Sequence, residues 1–420
     1  MKKSYLVSAI AAASALAAQA GEMDRENGIK IGDRLTLRPY VSLSYTYDSN
    51  VDSVKHGQSG SQWVVNPGAD VVYLAQNWMI DAAAWYQYHA YNHYSSQLNE
   101  SGYGESFNWS WTNSERRERG WSARIAERFE QISQDDDMSN RDGRGVGRDR
   151  KEFKVDGVLQ RRLNQYWHAS ALANYYLLDY DNDVSKYAAL YGWKRALAGG
   201  EFGYAPTEWA DFLIHANYQW YWQDNDFDRG AEYMTGSRRG RPVRSDSEGW
   251  TIMGGMAGHV SEKVTYRLLG GWSRFEYGSG TKDIDGFTYE GSLDWTVDPT
   301  LHVMALASSY YQPSEREYGS AIKVYTCSFG VGKSFVKGKV NGTVDVAYRR
   351  ETHEYTEYEV DDYDEDIWTF RVGVNYKVNR FVGLFGRVEY QTEETSNGGA
   401  RGHAWDYDRW RGTVGVRLTY

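Results

Sequence analysis

Apolar and polar residues alternate along most of this chain with a period of two. Leu35, Leu37, Pro39, Val41, Leu43, Tyr45 and Tyr47 share one face, and Thr36, Arg38, Tyr40, Ser42, Ser44 and Thr46 share the other. Successive side chains of a β-strand point to opposite sides, so this pattern predicts a strand with one apolar and one polar face. It returns over residues 78–90, 121–130, 167–177, 209–222, 250–260, 287–297, 301–310, 340–348, 368–378 and 382–390. Residues 186–204 hold it least well, with a change of phase near Arg195 that a β-bulge would explain. At the end of the chain Trp410, Gly412, Val414, Val416, Leu418 and Tyr420 fall on one face, opposite Arg411, Thr413, Gly415, Arg417 and Thr419.

The connections fall into two lengths. Very short turns precede Trp78, Trp167, Trp209, Val264, Leu301 and Phe381. Long stretches rich in Asp, Asn, Ser, Gly and Arg cover residues 49–61, 92–105, 131–149, 223–247 and 351–365. This repeat predicts an all-β fold, a transmembrane antiparallel up-and-down β-barrel with short periplasmic turns and long extracellular loops. A soluble sandwich has no reason to sort its loops by length. The runs count to about 18 strands, with 16 as the alternative, and an even number leaves both ends of the barrel in the periplasm.

The start of the chain fits export. Lys2 and Lys3, an apolar run to Ala17 and the triplet Ala18-Gln19-Ala20 predict a signal peptide over residues 1–20. A polar periplasmic lead follows over 21–33, then the barrel over 34–420. Gly21 stands where a lipoprotein would carry cysteine. No later apolar run approaches the ~18 residues of a membrane helix. The 35 Tyr and 17 Trp suit the two water–lipid interfaces of a barrel, and scarce Pro suits uninterrupted strands. A single cysteine, Cys327, excludes internal disulfides and reads as lipid-facing; the net charge of −10 argues against a nucleic-acid partner.

Two stretches resemble known proteins. The alternating last strand, with Trp410, Val414, Val416, Leu418 and the terminal aromatic Tyr420, resembles the insertion signal of outer-membrane barrels. Residues 37–51, LRPYVSLSYTYDSNV, resemble the opening of the second putative β-barrel porin family, where an aromatic strand ends in a Tyr-Asp-x-Asn turn. The resemblance implies an integral barrel of the cell outer membrane; some relatives are associated with exopolysaccharide systems. It brings no catalytic motif. Neither a plug ahead of the first strand nor a passenger domain is recognisable, which disfavours a TonB-dependent transporter and an autotransporter.

With the apolar faces outward, the other faces name the candidate pore lining. Arg38, Arg371, Arg387, Arg409, Arg411 and Arg417 gather near the seam; Asp70, Asp81, Asp156, Asp211, Glu290, Asp294 and Asp345 lie elsewhere. A basic wall facing acidic ones would set a field across an aqueous pore; the alternative is that the charges simply pair and stiffen the lumen. His89, His215, His259 and His302 also face inward, without a serine or acid at motif spacing, so no enzyme is expected. The acidic runs 224–228 and 361–366 invite a calcium reading, but Arg229 and Thr235 replace the Gly and Glu of a calcium loop. Neither metal nor cofactor is expected. Three functions remain: a porin-like channel for small hydrophilic solutes or sugars, a barrel component of polysaccharide export or attachment, and a soluble exported glycan protein recovered without detergent. Expected partners are outer-membrane lipid and lipopolysaccharide, the barrel assembly machinery and, on the second reading, polysaccharide or a partner protein.

Overall fold

The computed structural model describes residues 28–50, 59–91, 100–113, 120–132, 150–180, 193–207, 209–223, 246–277, 283–313, 321–354, 363–396 and 406–420. The signal-peptide expectation lies outside these residues, as does the run 224–228; of the long connections 131–149 and 223–247, the two expected from the sequence to fold inward and narrow a pore, residues 133–149 and 224–245 also lie outside them.

Every regular element among the described residues is a strand. In chain order they are β1 (Ile29–Ile31), β2 (Leu35–Asp48), β3 (Gly60–Leu74), β4 (Trp78–Tyr91), β5 (Glu100–Thr112) and β6 (Gly120–Ile132). Next come β7 (Arg150–Arg162), β8 (Trp167–Tyr180), β9 (Trp193–Tyr204), β10 (Asp211–Gln223), β11 (Ser247–Ser261) and β12 (Val264–Tyr277). The chain ends with β13 (Ile284–Asp298), β14 (Leu301–Pro313), β15 (Ala321–Phe335), β16 (Val340–Glu354), β17 (Tyr363–Lys377), β18 (Val382–Ser396) and β19 (Tyr407–Thr419). All nineteen join one sheet, each of β2–β18 pairs antiparallel with its successor, and β19 pairs back onto β2. The result is a closed antiparallel barrel of 18 strands, β2–β19. Closure leaves no open sheet edge, which lipid could not satisfy.

Within the polar lead, β1 folds back on β2 through Ile29↔Leu37 to Ile31↔Leu35. It takes up the edge of β2 beyond Tyr40, where β19 stops pairing. The turn between β1 and β2 holds Gly32 at φ +65, a left-handed conformation open to glycine.

The outer face carries the predicted residues. Trp63, Val65, Phe212, Ile214, Leu268, Trp272, Phe370, Val372, Val388 and Val414 are all large, apolar and exposed. Water would not leave so much apolar surface bare, whereas lipid covers it. Trp410, Val414, Val416, Leu418 and Tyr420 stand on this face of β19 and its end, and Cys327 is exposed on the same side of β15. Asp364, from the acidic run 361–366, is an outer rim residue of β17 tied to Arg350 and Thr352.

Two expectations change. Residues 193–204 pair with β8 and β10 in unbroken register, so the described part of the weak segment has no bulge. Its alternation is faint because the inner face bears apolar Trp193 and Leu197 while the outer face bears small Ala196, Ala198 and Gly200. Strands also reach further than their patterns: β5 begins at Glu100, β16 runs to Glu354 and β17 begins at Tyr363.

The turn from β15 to β16 places Val336 at φ 53 and Lys337 at φ 54. A β-branched residue is poorly suited to left-handed backbone, which costs roughly 1–2 kcal/mol for an L-residue. Val336→Asn is therefore expected to stabilise the folded barrel by about 1 kcal/mol in urea titrations, since Asn tolerates that region. An unchanged midpoint would contradict this.

Candidate functional site

Register puts every candidate lining residue on the inner face. Arg38 is opposite Asp70, Asp345 opposite Arg371, and Arg371 opposite Glu389; Glu389 in turn faces Arg411. Asp81, Asp156, Asp211, Glu290 and Asp294 share the inward parity of their strands. What the structure changes is the electrostatics. The seam arginines do not form a bare basic wall, because acids interleave with them. Arg371 lies 2.6 Å from Glu389 and 3.5 Å from Asp345, and Arg387 lies 3.0 Å from Glu389. Arg417 lies 3.6 Å from Asp70, with its guanidinium 3.9 Å from the Tyr40 ring centre. The pairing alternative therefore describes the seam better. Glu389 was legible all along: it is two residues from Arg387 on one strand.

The tightest pairing closes the barrel. Asp48 on β2 takes Arg409 of β19 at 2.5 Å and Arg411 at 3.1 Å, and Arg409 is only 2% exposed. The same Asp48 accepts the backbone N–H of Asn50 at 3.0 Å, and Asn50 Nδ2 donates to the carbonyl of Asp408. Between them Ser49 N–H donates to the Trp410 carbonyl, while Ser49 Oγ accepts the Trp410 N–H. The turn Tyr47-Asp48-Ser49-Asn50 is thus a clasp joining the first barrel strand to the last.

The inner surface has a dry side and a wet side. On β8–β14 an aromatic chain runs Tyr176–Trp193–Tyr221–Phe275–Tyr311, with successive ring centres 4.6, 5.7, 5.9 and 6.1 Å apart. Nearer the short turns, Leu213, Met253 and Leu269 pack together beside buried Arg267. Arg267 reaches Glu290 on the next strand at 2.9 Å and Glu201 on β9 at 2.6 Å, across β11 and β10. A buried charge persists only when paired this way. Gly255 and Gly271 allow the close approach of β11 and β12 there, since a Cβ at either would collide with the carbonyls of Leu268 and Ile252.

The wet side lies around the seam. The side chain of Arg387 faces the lumen yet is 53% exposed, and that of Arg128 on β6 is 59% exposed. A cavity of ≈ 200 Å³ here is lined by Thr46, Gln62, Arg387, Glu389, Arg411 and Thr413. The histidines are held by neighbours from adjoining strands: His302 by Asp294 at 2.7 Å, His89 by Gln62 at 2.9 Å and His259 by Thr265 at 2.9 Å. His215 lies 3.7 Å from Glu201, and His168, which its sequence context did not mark, lies 2.8 Å from Asp211. The acids thus come from across the sheet, out of reach of any spacing argument.

Residues 225–420 match the family described as putative beta-barrel porin 2. This segment takes in β11–β19 and does not include residues 37–51, where the sequence resemblance lies. In structure the chain is similar to the outer membrane protein OpdK from Pseudomonas aeruginosa, at 11% identity and a TM-score of 0.44 over 91% of this chain and 99% of that one. It is similar to Pseudomonas aeruginosa OccK2 (OpdF), at 11% and 0.44 over 94% and 99%, and to Acinetobacter baumannii OccAB3, at 9% and 0.43 over 93% and 100%. No curated protein matches the chain in sequence.

Proposed function

We propose that this outer-membrane barrel is a porin-like channel through which small hydrophilic solutes or sugars diffuse along the seam wall. One observation carries the reading: an arginine that faces the inside of a closed barrel, Arg387, is half exposed to water. An 18-strand barrel is wide enough for an aqueous path beside a filled wall. The chain works without catalysis or cofactor on this reading, and its mature form starts at Gly21 after signal removal. The buried aromatic chain on β8–β14 is packing, because Phe275 has no exposed surface to offer a sugar.

Conductance of the purified barrel in a planar lipid bilayer tests the proposal. Stable open-channel steps are expected. A folded, inserted barrel that carries no current but binds polysaccharide would overturn it in favour of a component of polysaccharide export or attachment.

A further inference from the structure

At the end of the barrel where the long connections leave, three inward side chains meet. Glu351 and His353 are two residues apart on β16, and Glu365 lies directly opposite Glu351 on β17. All three are buried; His353 is 1% exposed and Glu365 0%. His353 Nε2 lies 3.3 Å from an oxygen of Glu351 and 3.5 Å from one of Glu365, and one donor atom from each residue falls within 4.8 Å of the other two. Among the described residues, neither ring nitrogen of His353 makes a hydrogen bond.

These separations distinguish two chemistries. A charge-assisted hydrogen bond between imidazolium and carboxylate draws the atoms to about 2.7–2.9 Å. Ligands held about 2.0–2.1 Å from a tetrahedral ion stand about 3.3–3.4 Å from one another. The two His353 contacts, at 3.3 and 3.5 Å, are longer than the first and close to the second, and the two carboxylates lie within 4.8 Å of each other. Neighbouring side chains hold two of the three donors in place. The His353 ring stacks on Tyr363 with centres 4.3 Å apart and planes 9° off parallel. Arg349 holds the other oxygen of Glu351, turning Oε2 toward the histidine.

We propose that Glu351, His353 and Glu365 bind a divalent first-row metal ion and so fasten β16 to β17 at the extracellular mouth. One imidazole and two carboxylates suit zinc, with cobalt(II) or manganese(II) as substitutes, better than calcium, which prefers six to eight oxygens. The site stands apart from the seam and does not depend on whether the barrel conducts.

Cobalt(II) is the probe. The folded, metal-stripped chain without a histidine tag should bind one cobalt per barrel, giving visible absorption that zinc displaces. Glu365→Gln and His353→Gln should each weaken cobalt binding roughly tenfold or more. Asp364→Asn, on the outer face of the same strand, should bind like the unaltered chain. Folding of each variant is scored by heat-modifiable gel mobility. Should His353→Gln not fold, Glu365→Gln decides alone, supported by a chelator that lowers the unfolding temperature of the unaltered chain and not of this variant. Absence of cobalt uptake by the unaltered barrel, or equal binding by folded Glu365→Gln, would overturn the proposal.

Discussion

Asp48→Ala is expected to destabilise the barrel by about 3–5 kcal/mol, the usual consequence of removing one partner from a buried ion pair. The reason is local. Arg409 is 2% exposed and its guanidinium rests on Asp48, so the alanine variant takes a carboxylate away from a buried cation. The same change removes one contact each from Arg411 and from the Asn50 N–H. The loss falls on β19 and β2, the pair whose joining completes closure, so assembly should suffer along with stability. Urea titration of the chain folded into phospholipid vesicles measures the first, and the fraction with heat-modifiable mobility measures the second. Ser49→Ala removes only one side-chain contact of the clasp and should cost about 1 kcal/mol. Equal midpoints for the two variants would show that main-chain pairing alone closes the seam.

Arg387→Glu should shift ion selectivity toward cations about fivefold without harming the fold. Reversing one charge changes the interaction with an ion about 8 Å away in water by about 1 kcal/mol, which is about fivefold in a permeability ratio. The side chain is 53% exposed and its partner Glu389 keeps Arg371 at 2.6 Å, so no buried charge is left alone. Arg411 is a poorer site for this test because it also leans on Asp48 in the clasp. Reversal potentials under a salt gradient give the answer. An unchanged reversal potential with intact conductance would place the path of ions away from the seam wall.

Most of the barrel was legible because lipid enforces a rule on every strand it touches. Residues such as Val41, Leu43, Val414 and Leu418 must be apolar to face it, and the inner neighbours are free to be polar. Register follows, since a slip of one residue would turn each charged side chain toward lipid. That rule put Arg38, Arg371, Arg387, Arg409, Arg411 and Arg417 on the inner face from parity alone. It weakened where its cause weakened. On β9 the dry wall lets Trp193 and Leu197 sit inside, and toward the long connections Arg350, Asp364 and Asp366 appear on the outer face while the strands continue. Glu351 and Glu365 were read as loop for that reason.

Alternation along the chain thus determined the element type, the antiparallel barrel and the side each residue takes, because these depend on neighbours one or two positions away. Depth, pairing and solvation belonged to the tertiary structure. Asp48 meets Arg409 across 361 residues, Arg267 meets Glu201 across 66, and His168 meets Asp211 across 43. No local spacing encodes such meetings. Only closure of the sheet, with one wall packed and the other left wet, decides which charges are neutralised and which stay exposed to water.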